Sequence, residues 1–151
     1  GQAPQISFFN DASEEFDYIL NEIKKLNANG VALNNICVVA RTHKLLEDYL
    51  ALFTKNGVRS YEIRSNKTDD RSYDGLRIAT MHRVKGLEFQ YVFIVAVNNR
   101  ILPLASAIDH ADTVSEAESM TAEKCLFYVA LTRAQKGAYI SSYGSKSEFL
   151  K

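Results

Sequence analysis

The sequence predicts an α/β fold, a mostly parallel β-sheet with helices on both faces. Strand-like and helix-like blocks alternate along the 151 residues, a pattern that favours βα units over a sandwich or a bundle. Residues 36–40 (ICVVA) form a continuous β-branched apolar run, as a central strand covered on both sides requires. Phe16, Ile19, Leu20, Ile23 and Leu26 recur at helical spacing.

In chain order, residues 6–9 read as a short first strand. The acidic, cap-rich stretch 10–15 opens the first helix, and Gly30 lies just past its end. After the central strand, Thr42 can cap a helix carrying Leu46, Tyr49, Leu50 and Phe53 that closes near Gly57, and residues 60–63 form a further strand. Residues 64–75 (RSNKTDDRSYDG) are polar and turn-rich and read as a surface connection. Strands resume at 76–81 and 91–97, whereas 98–113, with Pro103 inside it, is irregular.

Ser115 and Glu118 form a capping box for a long helix running to about Gln135, with Glu116, Glu118 and Glu123 in its early turns. Met120, Phe127, Ala130, Leu131 and Ala134 form the stripe of that helix that faces the sheet. Residues 138–142 supply the last strand, and 144–151 read as a fraying tail.

Composition narrows the function classes. With 46% hydrophobic and 24% charged residues, 7 Gly and 2 Pro, the chain is expected to be one globular domain. A domain of this size buries roughly 68–70% of its unfolded surface. Cys37 and Cys125 sit in apolar runs without metal-ligand spacing, so two buried thiols in a cytoplasmic protein are expected, with no metal site. Eighteen basic and eighteen acidic residues cancel, so any polyanion site must be local. No apolar stretch reaches the ~20 residues a bilayer span needs, and the polar first residues are not expected to act as a signal peptide.

Three segments place polar residues against strand ends, where open parallel sheets bind ligands. In VART, Arg41 follows the central strand and can offer a forked, permanently charged donor to phosphate; the alternative is a surface pair with Glu47 or Asp48. TMHRVKGLEF gathers Thr80, His82, two cations, Gly86 and Glu88 between two strands, with a plain solvated loop as the alternative. In EKCLFYVALTRA, Arg133 lies near the helix end, where it can also serve as a simple cap.

In this order and spacing, ICVVART, TMHRVKGLEF with YVFIVAV and ILP, and EKCLFYVALTRA resemble motifs IV, V and VI of superfamily 1A helicases of the UvrD/Rep type, over most of the chain. The resemblance implies a RecA-like second motor domain (2A), part of a longer chain, that works on ATP bound by a first RecA-like domain. Arg41 and Arg133 then resemble the arginines that reach the γ-phosphate. Gly86 and Glu88 resemble contacts to phosphate and ribose, and Tyr128 a residue beside the nucleotide. Thr80 and His82 resemble contacts to single-stranded DNA. Arg41, Glu88 and Arg133 are expected on a single rim facing the first domain.

The chain has no GxxxxGK[ST] phosphate loop and no DExx segment, so ATP and its Mg²⁺ are expected to be held by the first domain, and the isolated chain is expected to be inactive. The large 2B insertion of the family would fall at 64–75, where about a dozen residues stand instead, and Lys124-Cys125 stand where the family commonly has two arginines. Six basic against four acidic side chains between Arg64 and Glu88 allow weak, salt-sensitive binding to single strands. The expected partners are therefore the first domain and single-stranded DNA, with RNA polymerase or repair proteins as further candidates. The alternative function is a helicase-like module that binds a protein such as RNA polymerase without unwinding DNA.

Overall fold

A computed structural model of the chain describes residues 3–64 and 70–151. Its elements are β1 (Gln5–Phe9), α1 (Ala12–Ala28), β2 (Ile36–Ala40), α2 (His43–Lys55), β3 (Ser60–Glu62), β4 (Leu76–Thr80), β5 (Phe89–Ile94), α3 (Thr113–Leu131) and β6 (Ala134–Tyr143). The six strands form one sheet in the order β1-β6-β5-β2-β4-β3. Every neighbouring pair is parallel.

Side-chain alternation along β2 explains why both faces are covered. Ile36, Val38 and Ala40 pack with Phe16, Ile19, Leu46 and Phe53, so α1 and α2 cover one face. Cys37 and Val39 pack with Val92, Ile94, Phe127 and Ala130, which places α3 on the other. Fully burying a side chain such as Phe53 stabilises the fold by roughly 1.5–3 kcal/mol. None of the described helices is long and apolar enough to cross a membrane.

Asp11 caps α1 by accepting from the Glu14 amide at 2.9 Å, and Thr42 caps α2 by accepting from the Leu45 amide at 3.3 Å. The cap of α3 differs from the capping box expected at Ser115 and Glu118. Asp112 takes that place, its carboxylate accepting from the Ser115 amide at 2.7 Å. The helix also stops at Leu131, short of Gln135, because pairing with β5 draws 134–137 into β6, with Ala134 opposite Phe89 and Gly137 opposite Tyr91. Tertiary pairing here overrides a stretch that reads locally as helix.

Residues 144–151 do not fray. Asn98 pairs with Lys146, the Ser147 amide donates to Val97 at 3.0 Å, and Phe149 stacks on Phe127. Cys125 corrects the expectation of two buried thiols: only Cys37 is buried, because Cys125 lies on the outer side of α3.

Glu15 and Arg77 are buried ionisable groups that brace the sheet. The carboxylate of Glu15 is fully enclosed and accepts from the Tyr49 hydroxyl, the Ser141 hydroxyl at 2.8 Å and the Ala96 amide at 2.8 Å. Burial pushes its pKa above the usual carboxylate range, and the three donors pull against that shift. The bond to Ala96 holds a non-glycine residue at φ 54, just past the end of β5.

Arg77 is buried in β4 and donates to the carbonyls of Gly75 (2.6 Å), Asp70 (2.7 Å) and Tyr73 (2.9 Å), with the Tyr61 ring 5.3 Å away. It thereby fastens residues 70–75 of the β3–β4 connection to the sheet. Residues 65–69 of the connection expected at 64–75 lie outside the described residues.

Gly75 is required there by close packing, since a Cβ at this position would meet Tyr61 Cε2 at 2.5 Å and Arg59 O at 3.2 Å. Gly75→Ala is expected to cost about 1–3 kcal/mol in urea unfolding, because the Tyr61 ring must leave its seat against Arg77. A midpoint equal to that of the parent chain would show that the ring moves freely.

Candidate nucleotide and nucleic-acid site

The residues singled out in the sequence divide between the two ends of the parallel sheet. At the carboxyl ends of β2 and β4 stand Arg41, immediately after β2, Thr80, the last residue of β4, and His82 two residues on. They border an open groove of about 690 Å³ that Arg64 and Arg83 also line. A second groove of about 590 Å³ shares Arg41 and His82 and runs along α3 past Lys85, Ser119 and Leu126.

Arg41 is not the free cation expected, nor is it paired with Glu47 or Asp48. It is buried, and both arms of its guanidinium engage Glu123 of α3, Nε to Oε1 at 2.9 Å and Nη2 to Oε2 at 2.8 Å. Glu123 Oε1 also accepts from the Leu104 amide at 2.7 Å, so one carboxylate joins β2, α3 and the segment after β5. Burial first, and then the charge of Arg41, hold the His82 pKa below its ordinary value. His82 is therefore a neutral donor or acceptor at neutral pH.

The amino ends of β5 and β6 carry the other residues. Glu88 directly precedes β5 and Arg133 directly precedes β6, and the Phe89 amide donates to the Arg133 carbonyl at 2.9 Å, so the two lie on neighbouring strands. The exposed Glu88 carboxylate accepts from Gln135 Nε2 at 3.0 Å. Gly86 has φ 83, with open space where a Cβ would stand, so its role is the left-handed turn of the loop.

Arg133 makes one side-chain hydrogen bond, from Nη2 to Thr132 Oγ1 at 3.2 Å. Its Nε is buried without a partner, and it joins no ion pair among the described residues. Tyr128 lies on the last turn of α3, 69% exposed, and its carbonyl accepts from the Thr132 amide at 3.0 Å.

The single rim expected for Arg41, Glu88 and Arg133 is thus not formed. From the strand register, Arg41 lies eight residue levels from Arg133, about 25 Å of strand rise. In this conformation the two guanidinium groups do not converge on one phosphate. Among the described residues, no group of three or more His, Cys, Asp or Glu could hold a metal ion.

Arg71 and Gln135 were not singled out for a role in the sequence, and Glu123 was read only as one of the acidic residues that suit the early turns of the last helix. Glu123 carried a usable signal: its spacing to Phe127, Ala130 and Leu131 puts a carboxylate on the apolar stripe of α3, and a carboxylate there demands a buried counter-charge.

An all-parallel sheet with helices on both faces and polar residues at its strand ends is a doubly wound α/β architecture, the class of fold that takes its ligands at strand ends. The profile described as "UvrD-like helicase C-terminal domain" matches residues 47–145, and the chain belongs to that family. It is 35% identical over 121 residues to YjcD of Bacillus subtilis, covering 80% of this chain and 15% of that protein. It is 37% identical over 76 residues to the ATP-dependent DNA helicase PcrA of Staphylococcus aureus, covering 50% of this chain and 10% of PcrA. The chain therefore spans well under a third of the length of these relatives.

The solved C-terminal domain of a possible DNA helicase from Lactobacillus plantarum superposes with a TM-score of 0.72 at 16% identity, over 99% of this chain and 80% of that one. The Sulfolobus solfataricus SWI2/SNF2 ATPase core in complex with double-stranded DNA gives a TM-score of 0.59 at 12% identity, over 94% of this chain and 28% of that one. Both show likeness of fold.

Proposed function

We propose that this chain is the second motor domain of an ATP-dependent DNA helicase or translocase in the cytoplasm, completing an ATP site held mainly by a first RecA-like domain. The observation that carries the reading is Arg133. Its guanidinium joins no ion pair among the described residues and its buried Nε has no partner, so the side chain is free to turn toward an acceptor from outside the chain, at the start of the strand next to the one that Glu88 leads into.

A triphosphate at the domain interface supplies that acceptor. Phosphoryl transfer depends on positioning and charge stabilisation, and an arginine entering from a facing domain makes turnover depend on closure. Glu88 would take the ribose hydroxyls, and the Gly86 turn would bring the loop backbone toward the phosphates. The Tyr128 ring would lie beside the nucleotide. The Mg²⁺ that accompanies ATP, which neutralises phosphate charge, would be held by the first domain. Arg41 can join the phosphates only after leaving Glu123.

The groove at the carboxyl edge is the track for single-stranded DNA, with Thr80 and His82 as hydrogen-bonding contacts and Arg64 and Arg83 as phosphate contacts. The reading is tested by ATP turnover of the full-length protein with and without single-stranded DNA. Strong stimulation supports it, whereas DNA-indifferent turnover points to a module that binds a protein such as RNA polymerase. His82→Ala and Thr80→Ala are each expected to weaken single-strand affinity about fivefold, the effect of one lost hydrogen bond. Equal affinity together with equal DNA stimulation would remove both residues from the track. The isolated chain is expected to show no hydrolysis above background.

A further inference from the structure

We propose that Arg71, in the connection between β3 and β4, is a positioning residue for Glu88 and so sets how firmly the domain holds the sugar of the nucleotide; this rests on the nucleotide reading of Glu88 given above. Glu88 ends a loop that turns at Gly86, and its side chain is exposed. Left to itself, such a carboxylate would have to be ordered when the nucleotide arrives, at a cost in affinity.

Arg71 removes that freedom from the backbone side. Its Nη2 donates to the Glu88 carbonyl, its Nη1 donates to the Asn34 carbonyl at 3.0 Å, and its guanidinium lies 4.2 Å from the centroid of the Phe89 ring. One planar cation thus grips the two residues that lead into β5.

Arg71 is itself fixed. Its carbonyl accepts from Asn34 Nδ2 at 2.6 Å, making a reciprocal clip, and the neighbouring residues Asp70, Tyr73 and Gly75 are held by the buried Arg77. With the Phe89 amide on the Arg133 carbonyl and Gln135 on the Glu88 carboxylate, the Glu88–Phe89 step has three tethers. Of the three, Arg71 comes from the connection between β3 and β4, outside all three motifs, so this connection has a part in the nucleotide edge.

The test uses the full-length protein, with single-stranded DNA saturating and either ATP or 2′-deoxy-ATP as substrate. Arg71→Ala is expected to raise KM for ATP about 5–10-fold with kcat within about twofold, and to shrink the preference for ATP over 2′-deoxy-ATP. Arg71→Lys, which keeps the charge but loses the fork, should recover part of that preference. Asn34→Ala, which opens the clip while leaving Arg71 in place, should shift KM in the same direction by about 2–3-fold and serves if Arg71→Ala does not fold.

Glu88→Gln is the control that separates the two claims. If Glu88→Gln erodes the sugar preference while the Arg71 and Asn34 variants leave it unchanged, the positioning role is overturned and the nucleotide reading stands. If Glu88→Gln itself leaves the preference unchanged, the reading of Glu88 fails and the role of Arg71 falls with it.

Discussion

Arg133→Ala in the full-length protein is expected to lower single-strand-stimulated ATP turnover by roughly 10³–10⁵-fold while leaving affinity for single-stranded DNA within about threefold. The size follows from what the guanidinium supplies: charge and two donors delivered to the transferring phosphoryl group at the moment of closure. The selectivity follows from how the residue is built in. Its strand-forming contact is the backbone carbonyl that accepts from Phe89, which alanine keeps, and its one side-chain partner is the adjacent Thr132 hydroxyl. Little folding energy is therefore at stake, so a loss of turnover can be read as chemistry. Arg133→Lys should fall between the two, since a point charge replaces the fork. A turnover rate equal to that of the parent protein would refute the role.

Glu123→Ala is expected to destabilise the chain by about 3–5 kcal/mol, measured by thermal or urea unfolding. The substitution leaves the Arg41 guanidinium buried without its counter-charge and the Leu104 amide without its acceptor, so two desolvated donors are stranded together. Removing both ends of the pair should be milder. In Arg41→Met with Glu123→Leu, no buried charge is orphaned, and the coupling shows as a double variant much more stable than the sum of the single losses. A loss below about 1 kcal/mol for Glu123→Ala would mean that water reaches the pair. Arg41→Ala carries both effects at once, a stability loss from the orphaned Glu123 and a decrease in ATP turnover smaller than that of Arg133→Ala.

Where local pattern and tertiary demand agree, the elements are legible in the residues. The ICVVA run is a central strand buried on both faces, and the spacing from Phe16 to Leu26 falls on a single helix. Where they diverge, pairing decides. Ala134 and Gln135 read as the end of α3 but lie in β6, because β5 starts at Phe89 and needs a partner there. The tail 144–151 looks unanchored in sequence, yet Ser147 and Phe149 bind Val97 and Phe127 from distant segments.

The site shows the same division. The kinds of group present and their order along the chain, a cation after the central strand, a glycine turn with a carboxylate, and an arginine before the last strand, were set by the sequence, and with them the family. Which of them meet was decided only by the fold. In an all-parallel sheet every strand runs the same way, so residues that follow β2 and β4 come to one edge and residues that precede β5 and β6 to the other. Arg41 is for that reason handed to Glu123, 82 positions away in the chain, and Arg133 is left beside Glu88 with an unmatched donor. Sequence spacing carries no information about strand order, and strand order is what sorts these charges.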